Sequence, residues 1–385
     1  SRREALRADG WIVKGSADFS PTLVEPDDWY GQLDSVEGNA DQFELDLGVV
    51  VDRERVSLLP ALLEWIERTP SALIRAMLGR TDDDRSSVVL GLDDHRVVRM
   101  ERERLRLTLR ALVDAFDRTP TLREGRVRLP RARLTELAPA GRHWHLGGDD
   151  GLADLTARLT DFDGVDALPE PPGLRAELRP YQSYGLGWLQ FLREYGFGGI
   201  LADDMGLGKT LQTLAHVLME KQAGRLRQPA LVVAPTSLLF NWRAEARRFT
   251  PDLSVLTLHG ADRKGQFQWI DESDLVLTTY PLLSRDGDLL ARHDFHLLIL
   301  DEAQAIKNPR TRAAREVRRL RAHHRLCLSG TPLENHLGEL WSLFDFLMPG
   351  MLGGQTRFRQ QVQRPIERND DQDRREALAR RIRPF

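Results

Sequence analysis

At 385 residues, with 41% hydrophobic and 29% charged side chains, the chain is long enough for two or three globular domains and too apolar for a disordered one. Its single cysteine, Cys327, excludes an internal disulfide framework and suits a reducing cytoplasm, and no apolar run approaches the ~20 residues of a helical membrane span. The net charge of −3 hides an asymmetry: residues 1–170 hold 24 Lys+Arg against 33 Asp+Glu, whereas residues 171–385 hold 31 against 25. The acidic part is a poor surface for a polyanion, and the basic part is the better one. The opening Ser-Arg-Arg-Glu-Ala-Leu lacks Met and the apolar core of a signal peptide, so the sequence reads as a cut from a longer chain.

The early elements are short. Phe43, Leu45, Leu47, Val49 and Val51 alternate as a half-buried strand does. Residues 52–55 offer a turn, and residues 56–62 lead into a helix ending near Arg68. Residues 96–116 carry two signals: Val97 and Val98 suit a strand, while Leu107, Leu109, Leu112 and Phe116 suit a helix. Short strands are expected around Val127 and Trp144. The pair His143 and His145 has no third ligand at a useful spacing, so both are read as strand-surface histidines rather than a metal site. These segments, residues 1–163, make a small α+β domain without a catalytic constellation. Residues 164–175 hold three prolines and two glycines and mark a linker or boundary.

From residue 176 the pattern changes. Runs rich in Val, Ile and Leu recur at 199–202, 230–234, 255–258, 275–279, 297–300 and 326–328, with helical spacing between them, as at Leu211, Leu214, Ala215 and Leu218. Continuous apolar runs suit strands buried on both faces. The expected fold is therefore α/β, a doubly wound and mainly parallel sheet with ligands at the carboxyl ends of its strands. Cys327 lies in the last run and is expected to be a buried thiol. The arginine-rich stretch 308–324 is read as a helix packing Ala314, Val317 and Leu320 inward with its arginines solvated, in preference to a DNA contact.

Two strand ends carry the chemistry. Residues 200–210, Ile-Leu-Ala-Asp-Asp-Met-Gly-Leu-Gly-Lys-Thr, give a strand, a glycine-bearing loop and a helix start. Gly206 and Gly208 let backbone N–H groups reach phosphate oxygens, and the following helix directs its positive dipole end at the same anion. Lys209 adds a charge for the β- and γ-phosphates, and Thr210 a hydroxyl for Mg²⁺. The generic motif has glycine where this chain has Asp203. Residues 295–304, Phe-His-Leu-Leu-Ile-Leu-Asp-Glu-Ala-Gln, are an apolar strand ending in two carboxylates. Asp301 is suited to hold Mg²⁺ through water, and Glu302 to take a proton from an attacking water or to orient it. Three further segments share this setting. The Gln182 amide suits an adenine edge, residues 234–242 offer hydroxyl and amide groups for a nucleic-acid phosphate, and residues 328–335 hold small polar groups able to link the γ-phosphate to motion.

Together these residues resemble those of the Swi/Snf-type ATPases, the superfamily-two DNA translocases that include chromatin remodellers. The resemblance rests on 203–210 (Asp-Asp-Met-Gly-Leu-Gly-Lys-Thr), 301–308 (Asp-Glu-Ala-Gln-Ala-Ile-Lys-Asn), 328–335 (Leu-Ser-Gly-Thr-Pro-Leu-Glu-Asn) and 339–350 (Glu-Leu-Trp-Ser-Leu-Phe-Asp-Phe-Leu-Met-Pro-Gly), and spans about 176–385. It implies a RecA-like P-loop domain, the first of two lobes that hold ATP between them and act on double-stranded DNA. The acidic first part is similar to the accessory domain of bacterial members. By resemblance, Arg179, Gln182, Asp204, Met205, Gly206, Leu207, Gly208, Lys209 and Thr210 bind ATP, Thr210 and Asp301 hold Mg²⁺, and Lys209, Asp301 and Glu302 are catalytic. Pro235, Thr236, Asn241, Thr278, Thr279 and Tyr280 would face DNA, as would Trp242 unless it is a core aromatic. Gln304, Ser329, Gly330 and Thr331 would couple hydrolysis to movement. The family continues past the position of Phe385 into a second lobe carrying arginine fingers, and a monomer is expected. Two other readings stay open: remodelling of a protein–nucleic-acid complex such as stalled RNA polymerase, and a nucleotide-gated binding module that does not turn over.

Overall fold

The computed structural model describes residues 22–36, 39–69, 87–93, 95–115, 122, 123, 125–137, 141, 143–160 and 164–385 except 332, 334 and 335. The chain divides into two compact units, residues 1–160 and 161–385.

The first unit runs β1 (Thr22–Val24), β2 (Asp28–Val36), β3 (Asn39–Val51), β4 (Glu54–Ser57), α1 (Leu59–Arg68), β5 (Ser87–Gly91), β6 (Arg96–Glu101), α2 (Arg102–Ala115), β7 (Leu122–Arg123), β8 (Arg126–Pro130), α3 (Leu134–Leu137), β9 (His145–Gly148) and α4 (Asp150–Thr160). One sheet has the order β7-β8-β3-β2-β9, with β4 also on β3, and a smaller one the order β1-β6-β5. The alternation from Phe43 to Val51 puts all five apolar residues on one buried face. The two signals in 96–115 are both real. Val98 and Met100 alternate inward on β6, then Leu105, Leu109 and Leu112 follow helical spacing on α2; Phe116 lies outside the described residues. Trp144 is buried, donating from Nε1 to Thr108 Oγ1 at 3.0 Å. His145 is exposed and pairs with Asp28 at 2.5 Å, while the His143 carbonyl accepts from Arg104 Nε. Among the described residues, no group of three or more His, Cys, Asp or Glu is disposed to hold a metal.

The second unit runs α5 (Pro180–Glu194), β10 (Gly199–Leu201), α6 (Lys209–Gln222), β11 (Ala230–Ala234), α7 (Leu239–Phe249), β12 (Val255–Thr257), β13 (Leu275–Thr279), α8 (Tyr280–Leu290), β14 (Asp294–Asp301), α9 (Arg312–Arg319), β15 (Arg321–Leu328) and α10 (Leu337–Leu347). Helices α11 (Gln355–Phe358), α12 (Arg364–Asn369) and α13 (Gln372–Ile382) follow. The strands form one sheet of order β10-β15-β14-β11-β13-β12, each neighbouring pair parallel. β11 and β13 are buried at all five positions, which is why they read as unbroken apolar runs. Leu214 and Leu218 of α6 and Leu239 and Trp242 of α7 join them in one core cluster. The outer edge of β10 is covered: Ile200 N donates to Phe385 O at 2.9 Å, and Trp188 Nε1 to Pro384 O at 2.8 Å.

Residues 164–175 lie along this second unit. Leu168 N donates to Ser183 O, Arg175 N to Phe249 O, and the Leu168 and Leu174 side chains pack beside Leu178 and Leu186. On α9, Ala314 and Val317 face inward, as does Leu320 just after it, and Arg318 bonds Asp345 and the Ser342 carbonyl of α10. Cys327 is fully buried, and burial pushes its thiol pKa up. Among the described residues no helix is long and apolar enough to cross a membrane.

At the amino end of the sheet a buried polar cluster closes on itself. Glu220 accepts from Arg225 at 2.6 Å and Gln190 at 3.1 Å and meets His296 Nε2 at 3.0 Å. Burial pushes the Glu220 pKa up, but the bonds from His296 and Arg225 more than reverse it and hold it below the usual range. Burial lowers His216 to about 4 and His324 to about 3. Both imidazoles stay neutral in the folded unit, whereas the unfolded chain takes up protons below about pH 6.5. Their contribution to stability is therefore complete above that pH and falls as pH drops toward 4, by about 1.4 kcal/mol per unit for each histidine. Urea unfolding is expected to show a histidine slope that is small at pH 7 and approaches about 2.7 kcal/mol per unit between pH 5.5 and 5. His324→Phe keeps the ring contact with His296 and removes a buried nitrogen that has no partner, so it should halve that slope. An unchanged slope would rule out this origin for the acid sensitivity.

Candidate nucleotide site

The parallel register builds the site. β15 pairs with both β10 and β14, so Leu201, Leu328 and Asp301 stand abreast on three neighbouring strands. The loop after β10, the pair Asp301–Glu302 after β14 and the segment Ser329–Thr331 after β15 consequently open at the same end of the sheet.

In the loop, Gly206 (φ 84°) and Gly208 (φ 83°) hold left-handed conformations that suit glycine. Gly208 caps α6 with no side-chain capping bond, leaving the dipole end of that helix facing the loop. Lys209 Nζ bonds the Asp203 carbonyl at 2.6 Å and the Asp204 carbonyl at 3.2 Å, so the ammonium is held inside the curve of the loop. Asp203, the departure from the generic motif, has its carboxylate tied to Gln212 Nε2 at 2.8 Å. Met205 is highly exposed, and Gly330 lies against it, which brings the segment after β15 onto the loop.

Gln182 has a structural task in the fold. Its Oε1 accepts from Arg179 N at 2.9 Å and its Nε2 donates to Leu207 O at 3.0 Å. The Tyr181 hydroxyl donates to the same carbonyl at 3.0 Å. The Gln182 amide thus spends one donor and one acceptor site on backbone, stapling α5 to the loop. The Arg179 side chain is exposed.

Asp301 is buried. Trp242 Nε1 donates to its Oδ2 at 2.8 Å, Glu302 N to its Oδ1 at 3.0 Å, and the Tyr280 hydroxyl to its carbonyl at 2.8 Å. Burial raises the Asp301 pKa, and the neighbouring Glu302 adds to the rise. Glu302 sits at φ 50°, ψ 57°, a left-handed conformation uncommon for a residue with a side chain. Its Oε2 accepts from Gln304 Nε2 at 2.7 Å, Gln304 Oε1 accepts from Ser329 Oγ at 3.1 Å, and Ser329 Oγ accepts from Thr331 N at 3.1 Å. Pro332, Glu334 and Asn335 of that segment lie outside the described residues.

Glu245 of α7 gave no signal in the sequence. Burial raises the pKa of its carboxylate, and repulsion from Asp301 adds to the rise. Asp301 and Glu245 therefore concentrate negative charge near the end of the loop that carries Thr210, and carboxylate and hydroxyl oxygens are the hard donors that fit Mg²⁺ arriving on a nucleotide phosphate. Trp242 is a core aromatic whose one polar atom serves Asp301.

Of the residues expected toward DNA, Thr236 and Asn241 are exposed and Pro235 half-buried at the carboxyl end of β11. Thr278, Thr279 and Tyr280 require correction. Their side chains are buried, because the end of β13 is covered on both faces and the Tyr280 hydroxyl is taken by Asp301, so none of the three presents a surface to a phosphate backbone.

A family model for the SNF2-related domain matches residues 181–385. YwqA of Bacillus subtilis, a candidate ATP-dependent helicase/translocase, is 46% identical over 237 residues, which cover 61% of this chain and 26% of that protein. The TATA-binding protein-associated factor mot1 of Schizosaccharomyces pombe is 41% identical over 220 residues, or 54% of this chain and 11% of that one. This chain thus spans a minor part of either relative. Among solved structures, the Sulfolobus solfataricus SWI2/SNF2 ATPase core in complex with dsDNA is similar with a TM-score of 0.53 at 41% identity, over 57% of this chain and 46% of that one.

The two loop glycines should respond differently to alanine. At Gly206 nothing lies near a built Cβ, so Gly206→Ala meets only the left-handed backbone cost of about 1–2 kcal/mol. At Gly208 the Cβ would also fall inside contact distance of Gln182 Nε2, breaking the bond to Leu207 and adding about 1 kcal/mol. Urea unfolding of both variants checks the order. Equal losses would mean that Gln182 does not hold the loop.

Proposed function

The chain belongs to the family of SNF2-related domains, and from that premise we propose that its second unit is the nucleotide-binding lobe of an ATP-driven translocase on double-stranded DNA. The observation that carries this reading is the register of β10, β15 and β14, which brings Lys209, Thr210, Asp301 and Glu302 to one crevice. Lys209 exchanges the carbonyls of Asp203 and Asp204 for phosphate oxygens, the amides around Gly206–Thr210 take the same anion, and Thr210 and Asp301 face its cation. Bound Mg²⁺ would neutralise charge on the β- and γ-phosphate oxygens. Glu302 takes a proton from the attacking water. Once Glu302 is protonated, the bond from Gln304 weakens, and the change reaches Ser329 and Thr331 through the same amide. ATP then favours one arrangement of the lobe and its partner lobe over another, which is the source of stepping.

DNA as the track is supported by the exposed Thr236 and Asn241 beside the site and by similarity to an ATPase core solved with dsDNA. Similarity to a TATA-binding protein-associated factor favours a second reading, in which the work is done on a protein bound to DNA. ATPase stimulation by naked duplex, by single strand and by protein-bound duplex separates the two. A rate raised only by the protein-bound duplex favours the second.

Two outcomes test the catalytic assignment. In a longer chain that includes a second lobe, Glu302→Gln should keep ATP binding and lower turnover by ~10²–10⁴. Hydrolysis at the wild-type rate in that variant removes Glu302 as the base. An arginine finger from a second lobe is worth ~10³–10⁵ in rate, so residues 1–385 by themselves should bind nucleotide and turn it over slowly even with DNA present. Rapid DNA-stimulated hydrolysis by residues 1–385 alone would show that this lobe needs no such partner.

A further inference from the structure

The Leu207 carbonyl, in the middle of the phosphate loop, accepts two bonds from one helix. The Tyr181 hydroxyl and Gln182 Nε2, neighbours in the first turn of α5, each reach it at 3.0 Å. A carbonyl oxygen has two lone pairs, so these two donors fill it. The turn that supplies them is itself fixed, with Pro180 at its first position and Arg179 N donating to Gln182 Oε1 at 2.9 Å. Tyr181 is 38% exposed, so its hydroxyl could be satisfied by water, yet it is directed onto the loop.

Peptide geometry explains what this double bond does. The peptide joining Leu207 to Gly208 is planar and trans, so its N–H points opposite to its carbonyl. Two donors on the oxygen fix the plane of that peptide and direct the Gly208 N–H away from α5. This N–H has no acceptor among the described residues. It stands at the N-cap of α6, next to the Lys209 and Thr210 amides, which an α-helix leaves without intrahelical partners. Gly208 tolerates either sign of φ, so an unpinned peptide here could flip. A flip would exchange the N–H for a carbonyl and present its negative end to an anion.

We propose that Tyr181 is a positioning residue whose hydroxyl locks the peptide between Leu207 and Gly208, so that the Gly208 N–H is held ready for a phosphate oxygen of the bound nucleotide. The inference rests on the nucleotide-site reading above and adds to it a side chain from outside the phosphate loop. The hydroxyl carries the role and the ring does not. Tyr181 acts through Leu207, so its loss weakens binding of the polyphosphate and is indifferent to the base. Lys209, Gln182 and the remaining amides stay in place, so binding is weakened and not abolished.

Calorimetric titration of ATP and of inorganic tripolyphosphate into the chain of residues 1–385, at fixed Mg²⁺, separates the hydroxyl from the ring. Tyr181→Phe keeps the ring and removes one of the two donors. It should weaken both ligands alike, by ~5-fold, the factor that goes with one neutral hydrogen bond. Tyr181→Ala removes the ring as well and should weaken both ligands no further than the Phe variant does. The amide resonance of Gly208 should shift when tripolyphosphate is added to wild type, and shift less in the Phe variant at equal occupancy. The Phe variant carries the test on its own if the alanine chain fails to fold. Wild-type affinity for tripolyphosphate in Tyr181→Phe overturns the proposal. So does a variant that loses affinity for ATP and keeps it for tripolyphosphate, because that loss would lie with the base. A wild-type chain that binds neither ligand overturns the nucleotide-site reading itself.

Discussion

Strand β15 is the spacer on which the site depends. It contributes little chemistry until Ser329, yet its parallel pairing with β10 on one side and β14 on the other fixes where the phosphate loop stands relative to Asp301. Two strand spacings, ~10 Å, separate the two tips. A slip of one residue between β14 and β15 would turn Asp301 toward the opposite face of the sheet, and one between β10 and β15 would displace the loop. The register is protected because these strands are covered on both faces: Leu326, Cys327 and Leu328 on β15 and Phe295 to Leu300 on β14 are all buried. Hydrophobic packing in the middle of the sheet thereby determines the geometry at its end.

The two ends of the sheet treat buried charge in opposite ways. At the amino end, Glu220 is fully buried and matched by Arg225, His296 and Gln190, which leaves the cluster closed and its charge compensated. At the carboxyl end, Asp301 has Glu302 on one side and repels Glu245 on the other. Burial and mutual repulsion raise the pKa of Asp301 and of Glu245, and Lys209 opposes only part of this. A compensated cluster has no use for a ligand, whereas an over-supplied set of oxygen donors is stabilised by a cation. The difference separates a structural polar cluster from a site without recourse to residue type, since both contain carboxylates in a mainly apolar unit.

Most of the second unit was legible because its strands are buried on both faces. Runs such as 230–234 and 275–279 have no polar alternation to obscure them, and the structure returns them as β11 and β13 with those bounds. The glycine-bearing loop 203–210 and the carboxylates of Asp301 and Glu302 stood out because the chemistry proposed for them is local in sequence, and the structure sets them at one end of the sheet. What could not be read are residues whose role depends on which face of a helix meets which strand. Trp242 and Glu245 sit in a segment that looks like an ordinary amphipathic helix, and only the packing of α7 against the sheet brings Trp242 to Asp301. Gln182 has a second role that depends on the fold in the same way: its amide suits a base edge, and the folded chain also brings Leu207 O and Arg179 N to it. In the first unit, β2 escaped notice because Gly31 interrupts its alternation. The glycine is there because Leu146 and Leu47 occupy the space of a side chain.

Glu302 shows how the local and the distant meet. Its left-handed backbone, φ 50°, costs a residue with a side chain about 1–2 kcal/mol, so something outside the strand must hold it there. The short helical turn Ala303–Ile306 that follows is fastened to α10, with Ser342 Oγ donating to Ile306 O at 2.8 Å and Lys307 pairing with the buried Glu339 at 3.4 Å. On its other side, Glu302 is held through Gln304 by Ser329, at the start of the segment that leads into α10. The same stretch of chain therefore grips Glu302 twice, once by its side chain and once through the backbone that follows. A displacement of α10 that loosens one grip strains the other. The carboxylate assigned to the water can hold its position only while the segment after β15 holds its own.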